Sequence, residues 1–330
     1  MSDETIKNTF QVTAPARLSI SNIRGSVLVQ PGDPGVVEVV AVKHGNFDSG
    51  RYTVEMNQDS DGSVRIETRS DDSFISFLSH PPRVDYSLRV PQGIHLDTSC
   101  VSSSLNISNL EGTFKCKTVS GDMQLANLTG PFKLNTVSGD ISGSHLTGVL
   151  ELGTVSGRVH LLESAFPTAE GSAVSGDLTL QTPISDGPYQ FSSVSGSVRL
   201  VVPADTHCNA ELNSVSGSIR SSLPVTTVHY GHGSKVTQIS GGGTSVRLKS
   251  VSGNLSFEVE GVPATQVQTS QPSPAETIPP IPPIPPVPPI PPMPFSTPPP
   301  APLSTAEILQ RIERGELTVD EAIKLMKNQS

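Results

Sequence analysis

The sequence predicts an all-β fold, a parallel β-solenoid (β-helix). Its coils are about 18 residues long and made of two 9-residue half-repeats, and a Pro-rich linker and a small C-terminal α-hairpin follow. Three observations carry this reading. The tripeptide Val-Ser-Gly begins at Val119, Val137, Val155, Val174, Val194, Val215 and Val251, with variant copies at Val101 and Ile239. From Val101 to Val174 the steps are 18, 18, 18 and 19 residues, and a constant period of that size marks a repeat architecture. Inside each period the pattern apolar-x-Gly-x-apolar-x-apolar occurs twice: Val119, Gly121, Met123, Leu125, then Leu128, Gly130, Phe132, Leu134.

Apolar residues two apart share one face of a strand. Glycine two places after the leading apolar residue permits a tight turn or a positive φ at a corner. A half-repeat is therefore one short strand and one corner, and two halves close a coil. Stacking should bring Cys116, Leu134 and Leu152 into one inward ladder, because a single coil cannot bury its apolar row alone. Roughly nine coils at about 4.8 Å each give a rod on the order of 40 Å.

In chain order, residues 1–93 read as irregular β-rich N-terminal coils or a cap. Strand alternation is clear at Arg17–Ser21, Val36–Val42, Tyr52–Met56, Ser63–Thr68 and Tyr86–Val90. Ile23-Arg-Gly25-Ser-Val27-Leu-Val29 fits the half-repeat, and Asp71 to Pro82 reads as an excursion. Residues 94–262 form the regular solenoid. Residues 263–302 are a linker whose Ile-Pro-Pro repeats permit polyproline II or disorder, since proline fixes φ and lacks an amide donor. It serves as a semi-rigid spacer or as a ligand for a proline-recognising domain. Residues 303–330 carry two capping boxes, Ser304-Thr-Ala-Glu307 and Thr318-Val-Asp-Glu321, with Gly315 between them. The apolar stripes are Ile308, Leu309, Ile312 and Ala322, Ile323, Met326. So small a hairpin must dock on its own solenoid, another copy or a partner.

Composition excludes several classes. The formal net charge is −9, with no basic block, which disfavours nucleic acid and anionic membranes as direct partners. No apolar run is long enough to span a bilayer. The N-terminus reads as mature sequence, and three buried-type cysteines suit a reducing compartment, so the expected location is cytoplasmic; surface exposure by another route stays open. Cys116 is an inward position and Cys100 aligns with Thr118, so a disulfide between them is not implied.

The candidate surface ladder follows each Val-Ser-Gly: Asp122, Asp140, Arg158, Asp177, Ser197, Ser218 and Asn254. Paired carboxylates on a solenoid could hydrolyse glycosides. Aspartate also favours corners because it bonds backbone amides, Arg158 interrupts the row, and no aromatic platform accompanies it. His229 and His232 lack a third metal ligand nearby, and Gly241-Gly-Gly-Thr does not fit a phosphate loop. We expect no catalytic residue, no metal and no cofactor.

The Thr-Val-Ser-Gly-Asp repeats, Ser21-Asn-Ile-Arg-Gly-Ser-Val and the Val90-Pro-Gln-Gly step resemble the bacterial toastrack or putative-adhesin β-solenoid family, over roughly residues 10 to 260. The segment Glu307 to Leu325 is similar to the helical hairpin of LiaX/YvlB-type envelope-stress proteins. The resemblance implies a non-enzymatic scaffold linked to bacterial cell-envelope stress. Its hairpin would mediate self-association or docking on a protein regulator. The alternative is a surface adhesin or glycan-binding module, and a remote one is a solenoid carbohydrate-active enzyme.

Overall fold

The structure, a computed structural model, describes residues 3–44, 52–70, 83–224, 227–231, 234–240, 242–262 and 265–266. The Asp71–Pro82 excursion, His232, the Ile-Pro-Pro linker and all six hairpin residues (Ile308, Leu309, Ile312, Ala322, Ile323 and Met326) lie outside them. The described residues form 23 strands joined in one sheet, with no helix among them.

Through the middle of the chain the sheet is a parallel ladder with two strands per coil. On one wall Met123 pairs with Ile141, Ile141 with Val159, Val159 with Leu178, and Leu178 with Val198. On the other, Phe114, Phe132, Leu150, Ala169 and Tyr189 follow one another in the same way. Between Phe114 and Val159 partners are 18 residues apart, so chemically equivalent side chains stack. Cys116, Leu134 and Leu152 form one inward column and are buried. The rings of Phe114 and Phe132 stack at 5.4 Å between centroids. Where the column reaches Gly171 the neighbouring Phe191 fills the vacated volume: a Cβ on Gly171 would stand 2.7 Å from the Phe191 ring. Each inward Leu, Val, Ile or Phe contributes about 1.5–3 kcal/mol by leaving water. The coil closes because its two walls share this interior.

Both ends depart from chain order, in the same way. The strand Ala16–Pro31 pairs along one edge with Ile94–Ile107 and along the other with Val64–Glu67 and Val84–Val90. The first coil in sequence is thus the second in the stack. At the far end Thr244–Ser250 lies between Tyr189–Ser193 and Cys208–Ser214, and Leu255–Val259 between Val198–Val202 and Ile219–Ser221. The last coil in sequence is second from that end. In the stack, the outward polar row therefore runs Ser197, Asn254, Ser218 and not in chain order.

Each outermost coil is covered by antiparallel strands. Tyr52–Gln58 lies on Val64–Ser70, Val36–His44 on Arg83–Val90, and Glu4–Gln11 on Val36–His44. At the other end Ser234–Ser240 lies on Cys208–Ser214 with Thr227–Gly231 beyond it, and Thr265–Gln266 lies on Ile219–Ser221. An open parallel edge would template pairing with another chain; antiparallel strands occupy it here.

Candidate functional site

At five rungs the Thr/Ser-Val-Ser-Gly corner is held by a side-chain hydrogen bond to the glycine amide. The buried hydroxyl of Thr118, Thr136, Ser193, Ser250 or Ser214 accepts from the backbone N–H of the glycine three residues on, at 2.8–3.1 Å. Buried donors need such partners. The glycine itself is required by close approach. A Cβ on Gly139 would stand 2.0 Å from the Gly121 carbonyl oxygen, and one on Gly157 1.9 Å from that of Gly139. These glycines do not have positive φ, whereas Gly112, Gly130 and Gly148 in the second half-repeat do, at 150°, 134° and 143°. The two glycine columns therefore serve different physical needs, close approach alone in the first and a left-handed backbone as well in the second.

The residue after each glycine serves the stack. Asp122 Oδ1 accepts from the N–H of Asp140 at 2.9 Å, Asp140 Oδ1 from Arg158 at 2.8 Å, and Asp177 Oδ1 from Ser197 at 2.8 Å. Asn254 Oδ1 repeats the bond to Ser218 at 3.0 Å. The second oxygen of Asp140 takes the Arg158 guanidinium at 2.8 Å. The Arg158 amide and guanidinium hold the Asp140 carboxyl below its usual range. A glycosidase general acid needs the opposite shift. Arg158 completes this ladder.

A column of left-handed residues, Asn109, Asn127, His145 and Glu163, lies at the other corner with φ of 49–59°. Asn127 donates to Asn109 at 2.9 Å, and His145 meets Glu163 at 3.1 Å. The sequence reading missed it, although Asn-Leu, Asn-Leu and His-Leu recur at the 18-residue step and asparagine tolerates this backbone.

One outward face is less regular. It bears two columns two residues apart, typified by Lys115 and Lys117. A trough with a cavity volume of about 740 Å³ runs along it, and its walls carry Lys115, Lys117, Lys133, Arg247 and Lys249 against Glu151 and Glu170. Five basic against two acidic groups reverse the sign of the chain's net charge. Lys115 pairs with Asp97 at 2.5 Å, Lys133 with Glu151 at 2.6 Å, and Arg247 with Glu211 at 3.3 Å. The floor is small and polar: Gly153, Gly171, Ser172 and Ser192. Asn135, also lining the trough, is buried, and its Nδ2 has no hydrogen-bond partner.

Cys100, Cys116 and Cys208 are free and buried. Burial pushes the first two thiols up to about 12 and the third to about 11, so they are poor nucleophiles. At the N-terminal end Asp85 is surrounded by donors: Arg83, Ser26 and His44. Burial opposes its charge, but these bonds keep its carboxyl below the usual value. Among the described residues no group of three or more His, Cys, Asp or Glu could hold a metal ion, and no helix is long and apolar enough to cross a membrane.

A search of curated proteins finds no match. Among solved structures the chain is similar to a putative adhesin from Bacteroides fragilis, at 12% identity and a TM-score of 0.41, covering 77% of this chain and 97% of that one. It is also similar to a putative lipid binding protein from Parabacteroides distasonis, at 10% identity and a TM-score of 0.37 over 77% and 96%. A putative adhesin from Parabacteroides merdae gives 10% identity and a TM-score of 0.34 over the same shares. Residues 16–258 match the family model described as Toastrack DUF4097, which spans most of the chain and accounts for the repeated corners and the stacked columns alike; this protein belongs to the Toastrack family.

Proposed function

We propose that the protein is a non-enzymatic scaffold for protein contacts, acting in the bacterial cytoplasm in the response to cell-envelope stress. The observation that carries this reading is the fate of the polar ladder. Its carboxylates are engaged in rung-to-rung bonds to backbone amides, so the surface that would hold a solenoid enzyme's acid and base is structural. Stacked coils of this kind make a stiff support. The Pro-rich segment acts as a spacer, and the hairpin of residues 303–330 carries the contacts through Ile308, Leu309, Ile312, Ala322, Ile323 and Met326. Two short apolar stripes cover each other incompletely and seek a further surface. Tethering raises their effective concentration without adding any contact.

Deleting Leu303 to Ser330, or combining Ile312→Asp with Ile323→Asp, should abolish assembly or regulator capture and leave the melting of the solenoid unchanged. Light scattering and pull-down from the native host measure this. Unchanged oligomer size together with unchanged partners would refute the role of the hairpin.

A further inference from the structure

Charge along the trough is ordered. Rung by rung its first column runs Lys115, Lys133, Glu151, Glu170, Gln190, Arg247, which is basic at both ends and acidic between them. The second column, two residues on, has a small floor at Gly153, Ser172 and Ser192 and ends on Lys249. Among the described residues Glu170 and Lys249 have no ion-pair partner, and both are exposed. Asn135 is 8% exposed, and its Nδ2 lacks a hydrogen-bond partner. A buried donor is ordinarily satisfied, and the open side of Asn135 is the trough it lines. We infer that the trough binds an extended peptide segment of another protein, one that carries an acidic, a basic and an acidic side chain at every third residue. This is a second contact surface, on the solenoid itself, and it does not depend on residues 303–330.

The spacing selects the peptide. Two rungs span about 9.6 Å, and in polyproline II three residues make one turn and rise about 9.3 Å. Every third side chain of such a segment, laid along the stack, therefore returns to the same face at every second rung. Counted from Lys133, those rungs carry Lys133, then Glu170, then Arg247 with Lys249. The complementary ligand reads acid-x-x-base-x-x-acid. Polyproline II leaves its carbonyls without internal hydrogen bonds. The donors that the trough offers them are Asn135 Nδ2 and the hydroxyls of Ser172 and Ser192.

The surface is accessible and other ligands suit it less. The side chains of Lys115, Lys133 and Arg247 are 43%, 43% and 44% exposed. Their pairs with Asp97, Glu151 and Glu211 are of the solvated kind that contributes little and exchanges readily. A cavity of about 740 Å³ is also within the usual range for a bound ligand. A uniform polyanion would meet Glu151 and Glu170 halfway along, and like charges set opposite each other reject a partner. A sugar chain would find no ring to stack on, since the aromatic side chain in the lining, Phe191, is 2% exposed.

Titration of the full chain with the capped peptide Glu-Pro-Pro-Lys-Pro-Pro-Glu, followed by amide chemical shifts, tests this. In about 10 mM salt, where charges are screened only over about 30 Å, the Asn135 side-chain signal should move and saturate at millimolar peptide. Lys-Pro-Pro-Glu-Pro-Pro-Glu has the same composition and should bind at least about tenfold more weakly. The all-acidic Glu-Pro-Pro-Glu-Pro-Pro-Glu should be weakened likewise despite its greater charge. Lys249→Glu changes an exposed side chain. It should weaken the first peptide by a similar factor and restore binding of Glu-Pro-Pro-Lys-Pro-Pro-Lys, a recovery that an unfolded variant cannot give. No binding, a stationary Asn135 signal, equal binding of the reordered or all-acidic peptide, or an unchanged affinity in Lys249→Glu overturns the inference. Deleting residues 303–330 should leave the titration as it was. Loss of binding in that deletion places the site on the hairpin and overturns the inference too. Retained binding together with unchanged assembly removes only the hairpin reading.

Discussion

Gly139 and Gly93 separate two uses of glycine that look alike in sequence. A Cβ on Gly139 would meet a backbone carbonyl at 2.0 Å, while Gly93 has φ of +76° and nothing within 4 Å of an added Cβ. Gly139→Ala must push two rungs apart and should cost at least about 3 kcal/mol, at the upper end of overpacking. Gly93→Ala meets only the left-handed backbone penalty of about 1–2 kcal/mol. Thr136→Val removes the acceptor of the Gly139 N–H and should cost about 1–3 kcal/mol. Chemical denaturation ranks the three. The Val-Ser-Gly column was visible in the sequence, but its reason was not, since the reason lies in the distance between coils. The cysteines add a pH effect. Their thiols keep the proton in the fold to about 12, 12 and 11, against an ordinary value of 9.0. Above pH 9 the unfolded chain binds fewer protons than the folded one, so stability falls as pH rises from about 9 toward 12. Cys116→Val should flatten that decline in melts between pH 8 and 11.

At the scale of elements, the strands and their inward columns were legible because alternation and the 18-residue step fix which side chains stack. The threading of the ends was not. A coil inserted between two earlier ones has the same Val-Ser-Gly corner as a coil added last, and nothing local distinguishes Val251 from Val215. The consequence is mechanical. If coils were stacked in chain order, removing residues 244–266 would peel away one terminal layer. Here it removes the layer between Tyr189–Ser193 and Cys208–Ser214 and leaves the latter without its parallel partner. Truncation at Gly243 should therefore also unfold Cys208–Ser221. Hydrogen exchange reads the outcome: protection of those amides should be lost, while that of Met123–Thr154 persists, as expected where each repeat contacts only its neighbours. Retained protection at Cys208–Ser214 would contradict the inserted order.

For the whole molecule, the question is why such a stack remains discrete. A parallel ladder has no intrinsic stop, and each rung offers the next one amides, carbonyls and a matching apolar row. The two ends are closed by antiparallel strands whose direction breaks the repeat, and the hairpin Thr227–Gly231 with Ser234–Ser240 covers Cys208–Ser214. Replacing residues 225–241 by a short Gly-Ser linker should expose that edge while keeping Thr244–Ser250 in place on its other side. In a chain ending at residue 302, which separates this effect from the C-terminal hairpin, the capped form should scatter as one species and the uncapped form should grow end to end with concentration. Analytical ultracentrifugation distinguishes them. An uncapped solenoid that stays at one size would mean that the edge of Cys208–Ser214 is not adhesive, and that termination is written in the coils themselves and not in their caps.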